Sequence, residues 1–250
     1  MKEFVFGFEK FGTKINFSIV SFESSEEKVQ EIFHKAEGIY ERYNQIFNRF
    51  NSDSEISKLN QEIGSFNEVS DEVREVVEKS VLYNKETGGY FDPRIADFLE
   101  QAGYDADFSK ISKIGKEEAG DLSVNGIKIP LEEDLRIKKE KVFFGRRMEF
   151  SGIVKGLVND KVVKLFSEKC FENFVVDSGG DMFFSGKDAE GKKWTVDVEG
   201  VSFEKLILEI SDKAIATSGI AKRKWEKDGK RKHHLIDPKN PNDFKFDLKT

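Results

Sequence analysis

Between residues 13 and 47 the spacing of apolar residues switches from two to 3.6, and this switch limits the fold more than any other feature of the chain. Ile15, Phe17 and Ile19 alternate with Asn16 and Ser18 over residues 13–22, which reads as a strand with one buried face. Val29, Ile32, Phe33, Ala36, Ile39, Tyr40, Tyr43, Ile46 and Phe47 then recur at helical spacing. Ser24 is expected to cap this helix, with Glu27 at the capping-box position. His34 lies off the stripe and is expected at the surface.

The same alternation of element types continues downstream. Arg49 to Ser57 reads as a polar turn followed by a short helix. Ser70 starts another helix carrying Val73, Val76, Val77 and Val81, closed by Gly88-Gly89. Residues 103–140 are lysine-rich and read as irregular, with a hairpin expected at Asn125-Gly126. A helix is expected from about Leu157 to Lys169, then a short buried strand at Phe174–Val176. Trp194–Val198 and Leu206–Ile210 read as antiparallel partners. There is no fixed-period repeat and no low-complexity linker. The expected fold is α+β, with antiparallel sheets and flanking helices in a single domain over residues 1–250.

Composition narrows the function classes. The chain has 24 phenylalanines, so aromatic packing is expected to dominate the core. Its 41 basic and 47 acidic residues give a net charge of −6, which argues against a nucleic-acid binder. The basic cluster at 222–232 reads as a solvated loop or hairpin, and it could also help hold an anionic ligand. The single cysteine, Cys170, excludes an internal disulfide or thiolate metal site and is expected in the core. The N-terminus lacks an uninterrupted apolar stretch, so no signal peptide or membrane span is expected. The chain as written reads as cytoplasmic, or as periplasmic or membrane-associated if a targeting signal has been removed.

Five segments carry chemistry. His233-His234-Leu235-Ile236-Asp237-Pro238 puts an imidazole three residues before a carboxylate on a turn stiffened by proline. The small-residue turn Ala216-Thr217-Ser218-Gly219 precedes it, with hydroxyls and amides suited to phosphate oxygens. Thr87-Gly88-Gly89-Tyr90-Phe91-Asp92-Pro93 delivers aromatics that can stack on a flat ring and a carboxylate that can accept from a ring N–H. A helix C-cap followed by an Asp-Pro turn would use the same residues. Ser151 to Asp160 places Gly152 and Gly156 at a helix start beside Lys155, where amides, dipole and ammonium all favour a diphosphate. Asp160, about one turn into the helix, could bond to a ligand or organise a cation. No Walker loop is present. Ser178-Gly179-Gly180-Asp181 adds another tight turn after a strand.

In order and spacing these segments, with Phe11-Gly12-Thr13 and Phe50 plus Asp53 to Asn60, resemble the ApbE family of FAD:protein FMN transferases. The resemblance covers about residues 5–241. It implies a mixed α/β fold with FAD in a cleft between two lobes. It also implies Mg²⁺ and transfer of FMN from FAD to a threonine hydroxyl of an acceptor protein, releasing AMP. By motif, the flavin-site positions would be Phe11, Phe50, Tyr90, Phe91, Asp92, Asp160 and Ile236, with Lys155 against the phosphates. His234 would take the hydroxyl proton, with Asp237 the second catalytic position, and the Val163 carbonyl would ligate magnesium. Two other outcomes for the same site are FAD binding without transfer, and Mg²⁺-dependent FAD hydrolysis to FMN and AMP. The chain departs from the pattern at Phe11, where methionine is usual, and at Lys239 to Asn242, where Thr-Gly is usual. The family's further strand and its Asp and Thr metal ligands would lie beyond residue 250, so the chain is expected to be C-terminally incomplete.

Overall fold

The computed structural model describes residues 1–106, 125–198, 206–220, 223–227 and 229–244. The chain divides into two compact units: Met1–Asn44 with Lys155–Ser218, and Gln45–Val154 with Gly219–Lys249. The two units interleave along the sequence, so no linker composition marks a boundary between them.

The first unit is built on a five-stranded sheet in the order β1-β2-β6-β7-β10, antiparallel throughout. Its strands are β1 (Lys2–Lys10), β2 (Thr13–Ser21), β6 (Asn173–Ser178), β7 (Asp181–Ser185) and β10 (Lys213–Ala216). β2 is the expected strand. The preceding β1, with Phe4, Phe6 and Phe8 alternating, is an additional one. Helices α1 (Glu26–Phe47) and α6 (Ser151–Glu168) supply the aromatic core that the phenylalanine count foretold. Phe17 of β2 meets Phe33 of α1 and Phe166 of α6 at centroid separations of 6.0 and 5.6 Å, and Phe166 meets Phe174 at 5.3 Å. Edge-to-face and tilted pairs at these distances add to the gain from area burial. The other face of the sheet is covered where Val20, Val175 and Phe184 pack on Trp194 and Ile210. Those two residues belong to the antiparallel pair β8 (Trp194–Val198) and β9 (Leu206–Ile210), paired as the alternation indicated.

The second unit has a three-stranded sheet, β3-β5-β4, from β3 (Phe66–Glu68), β4 (Leu135–Lys138) and β5 (Lys141–Phe144). Around it lie α2 (Glu55–Gln61), α3 (Asp71–Glu86), α4 (Ala96–Gln101) and the single turn α5 (Leu131–Asp134). Ser70 caps α3 by accepting from the Val73 amide at 3.3 Å, and Ser54 caps α2 by accepting from Ser57 at 3.2 Å. Gly88 and Gly89, at φ 60° and 83°, end α3 as expected, and the Gly89 amide reaches back to the Asn84 carbonyl at 2.7 Å. Strands β11 (Lys224–Lys227) and β12 (Lys230–His233) form a hairpin from the basic cluster, while residues 222 and 228 lie outside the described residues.

Several local expectations are corrected. The α1 cap is Ser25, whose hydroxyl accepts from the Lys28 amide, because Ser24 bonds to Ser21 instead. Glu27 is therefore not at a capping-box position. α6 begins at Ser151, six residues before the expected start, since Glu149 accepts from the Ser151 amide at 2.7 Å and stabilises the first turn despite two glycines. Cys170 is exposed with φ 62°; it is the left-handed residue that ends α6, a place usually held by glycine. Residues 131–144 are an ordered turn and hairpin rather than irregular chain. Asn125 and Gly126 carry no strand, and residues 107–124 on their N-terminal side lie outside the described residues. Among the described residues no helix is long and apolar enough to cross a membrane.

Candidate functional site

In the first unit the sheet gathers several of the singled-out turns at one end. β2 starts at Thr13 and β6 finishes at Ser178, with Ile15 opposite Ser178, so the Phe11-Gly12 and Gly179-Gly180 turns lie side by side. β10 ends at Ala216 opposite Asp181, and the Thr217 amide donates to the Gly180 carbonyl at 3.1 Å. Both turns are left-handed at both residues: φ is 55° and 65° at Phe11 and Gly12, and 66° and 101° at Gly179 and Gly180. This is the geometry of two-residue hairpins. A Cβ on Gly179 would overlap the Thr13 side chain, so only glycine fits there. Phe11 adopts the same backbone with a bulky side chain, its ring centroid 6.0 Å from that of Tyr40.

Beneath these turns lies a buried polar triangle. The Tyr40 hydroxyl is 2.6 Å from both Asn159 Oδ1 and Ser178 Oγ, Ser178 donates to Asn159 Oδ1 at 2.5 Å, and Asn159 donates to the Asp181 carbonyl at 2.6 Å. Burial pushes the Tyr40 phenol well above its usual value; the Ser178 hydrogen bond opposes this, and the charges of Asp177 and Asp181 add to it. Lys155 Nζ sits 2.7 Å from Asp181 Oδ2, so its charge is already paired on the protein. Asp160 is exposed one residue beyond Asn159. The Val163 carbonyl accepts from Ser167 Oγ at 2.9 Å.

In the second unit the Thr87–Pro93 turn is tightly organised. The Phe91 amide donates to Thr87 Oγ1 at 2.9 Å, and Asn84 Nδ2 donates to the Phe91 carbonyl at 2.7 Å. Tyr90 is exposed, with Lys239 Nζ 4.2 Å from its ring centroid. A Cβ on Gly152 would sit 3.6 Å from the Phe91 ring, an ordinary contact, so the Phe91 ring lies close to the first turn of α6 without requiring glycine there. Asp92 is buried and fully engaged: Oδ1 accepts from the Arg94 amide and Nε, and Oδ2 from Arg94 Nη2 and Asn84 Nδ2. Arg94 also reaches Asp134 at 2.9 Å. The carboxylate thus fixes the turn that presents Tyr90 and Phe91, instead of projecting a vacant acceptor toward a ring N–H.

The turn after β12 carries His234, Ile236 and Asp237. His234 is half-buried, with Nδ1 3.4 Å from the Arg223 carbonyl. A carbonyl only accepts, so this contact favours the tautomer with hydrogen on Nδ1 and a lone pair on Nε2. Asp237 Oδ1 accepts from the Lys239 amide at 2.9 Å, and the Pro238 carbonyl accepts from Ile127 at 2.8 Å. Ile236 is half-buried on the same turn. Phe50 is 39% exposed and lies against Arg49 and Tyr104. The sequence reading missed Arg94, Tyr104 and the Arg49–Glu149 pair, as well as the polar role of Tyr40 and Asn159. Only Arg94 had a local signal, an arginine two residues after an aspartate in an Asp-Pro turn.

A magnesium shell needs about six oxygen donors. Among the described residues no group of three or more His, Cys, Asp or Glu side chains converges to hold a metal, and the Val163 carbonyl is already engaged by Ser167. These residues do not make such a shell by themselves, and no step below runs through the metal.

A family model described as the ApbE family matches residues 11–244. A Haemophilus influenzae protein named FAD:protein FMN transferase is 26% identical over 201 residues, covering 75% of this chain and 57% of that protein. A Vibrio cholerae protein of the same name is 28% identical over 193 residues, covering 74% and 57%. The chain therefore spans a little over half the length of the curated relatives it matches. Among solved structures, the apo form of the Pseudomonas stutzeri flavinyl transferase ApbE superposes with a TM-score of 0.77 at 20% identity, covering 97% of this chain and 76% of that one. The flavin transferase ApbE from Vibrio cholerae gives 0.76 at 22% identity, covering 96% and 77%. At these identities the likeness to the structures establishes the fold.

Proposed function

The chain belongs to the ApbE family, and from that premise we propose that it acts as a flavin transferase, moving FMN from FAD to a threonine hydroxyl of an acceptor protein and releasing AMP. The observation that carries the reading is the family match over residues 11–244, which runs through every motif described above. The names of the two bacterial relatives, FAD:protein FMN transferase, support it.

Chemically, the threonine oxygen attacks the FMN-side phosphorus, the phosphoanhydride P–O bond breaks, and AMP leaves with the bridging oxygen. The hydroxyl proton goes to His234 Nε2, the ring nitrogen on the side away from the Nδ1 that faces the Arg223 carbonyl. Asp237 stiffens the turn that carries the imidazole by accepting from Lys239. Tyr90 and Phe91 offer ring surface for the isoalloxazine, and Asp92 acts by holding their turn through Arg94. Lys155, paired with Asp181, supplies positive charge for the diphosphate. Mg²⁺ is included as a requirement implied by the family; when bound it would neutralise charge developing on the phosphates.

The test is to incubate the chain with FAD, Mg²⁺ and a threonine-bearing acceptor domain and to weigh the acceptor by intact mass spectrometry. The expected result is one added FMN, abolished by EDTA and by His234→Ala. AMP release with an unlabelled acceptor would assign hydrolysis instead, and bound FAD with neither product would leave a binding protein.

A further inference from the structure

The Phe50 ring is backed directly by a cation, and that cation is itself pinned. The Arg49 guanidinium lies 4.1 Å from the Phe50 centroid and 5.0 Å from that of Tyr104. Its Nε is 2.5 Å from Glu149 Oε2, and its Nη2 donates to the Tyr104 carbonyl at 2.6 Å. The Arg49 and Glu149 side chains are 8% and 5% exposed, so this is a desolvated pair. Glu149 has two further bonds. Its Oε1 accepts from the Ser151 amide at 2.7 Å, and its own amide donates to the Pro93 carbonyl at 2.7 Å.

One ion pair therefore joins three segments that the motif reading had kept apart: Phe50, the turn ending at Pro93, and the first turn of α6. A planar guanidinium held at several edges has little freedom, and a phenyl ring resting on it inherits that restriction. Lysine would keep the charge and lose both the plane and the fork. Tyr104 tilts against Phe50 at 5.8 Å, closing a second side, which leaves the 39% of Phe50 that is exposed as the part a flat ligand can reach.

We propose that the Arg49–Glu149 pair is the positioning device of the flavin site, fixing the plane of Phe50 so that its open face stacks on the isoalloxazine of FAD. This rests on the FAD-binding part of the reading above. Arg49 and Glu149 are positioning residues; neither touches the reacting atoms.

The experiment is a double-mutant cycle on the whole chain, read by quenching of FAD fluorescence and by the visible flavin band. Phe50→Leu is expected to weaken FAD binding about tenfold, in the range for loss of one aromatic stack. Arg49→Lys is expected to weaken it about fivefold and to reduce the shift of the flavin band, with kcat at saturating FAD unchanged. In the Phe50→Leu background, Arg49→Lys is expected to have no further effect. Should Arg49→Lys weaken FAD equally in both backgrounds, Arg49 does not act through Phe50 and the proposal is overturned. If Arg49→Lys proves poorly folded by its melting temperature, Glu149→Gln serves in its place, since the amide still accepts from Ser151 while loosening Arg49. A wild-type chain that binds FAD but transfers nothing would sink the transferase reading and leave this inference standing; one that binds no FAD would sink both.

Discussion

The two units stabilise their candidate residues by opposite means. The first relies on neutral groups: a tyrosine, a serine and an asparagine share hydrogen bonds under a pair of sheet turns. The second relies on buried charge: Arg94 between Asp92 and Asp134, and Arg49 on Glu149. The difference follows from the backbone each has to hold. Sheet turns in the first unit are fixed by ladder hydrogen bonds, so a neutral network only has to fill the space beneath them. The second unit presents its aromatics on loops, which lack ladders, and strong directional ion pairs take over that role.

The largest expected effect lies in the charged unit. Arg94→Ala strands the buried Asp92 carboxylate, while Asp134 keeps Arg146 at 3.3 Å, and should lower stability by about 3–5 kcal/mol, measured by denaturant unfolding. If the loss is under about 1 kcal/mol, the ion pairs are not what holds the loops. Next comes Gly179→Ala in the neutral unit, where both a left-handed backbone and a clash with Thr13 oppose the methyl group. A loss of about 2 kcal/mol is expected, whereas Gly229→Ala, left-handed but with open space, should lose about 1 kcal/mol. Equal losses would mean the Thr13 contact is unimportant.

Tyr40→Phe removes the apex of the triangle and should cost about 1–2 kcal/mol. The same phenol gives a pH signature. Its folded-state value is raised, chiefly by burial, so the folded protein keeps a proton that the unfolded chain releases near pH 10. Stability from this group is present below that point and falls as pH rises above it. Tyr40→Phe should flatten the alkaline limb of the stability curve, and an unchanged limb would place the titration elsewhere. The smallest effect belongs to the exposed helix pair Lys35–Glu31, where Lys35→Gln should leave the unfolding midpoint unchanged, because water screens such pairs.

Much of the framework was legible because it follows periodicity. β2, α1, α3 and the β8–β9 pair stand where apolar spacing put them. β1 carries an equally clear alternation, Phe4, Phe6 and Phe8, ahead of the 13–22 stretch in which the expected strand begins. β4 and β5 were hidden among lysines because their charged side chains point to solvent while Leu135, Val142 and Phe144 turn inward. The start of α6 was misplaced because two glycines argue against a helix, whereas the cap that forms it comes from the Glu149 side chain. At the candidate site the sequence supplied residue types but not their partners. Nothing in a linear reading reveals that Asp92 is saturated by Arg94 and Asn84, or that Arg49 reaches Glu149 a hundred positions away.

The left-handed Phe11 bears on how this protein could be engineered. An L-residue with a Cβ in that conformation carries about 1 kcal/mol of strain that glycine or asparagine would relieve. A screen for heat resistance alone would favour those replacements, and each one deletes the aromatic group from the mouth of the β1–β2 turn. On the transferase reading proposed above, selection for robustness and selection for flavin handling would pull this one codon in opposite directions.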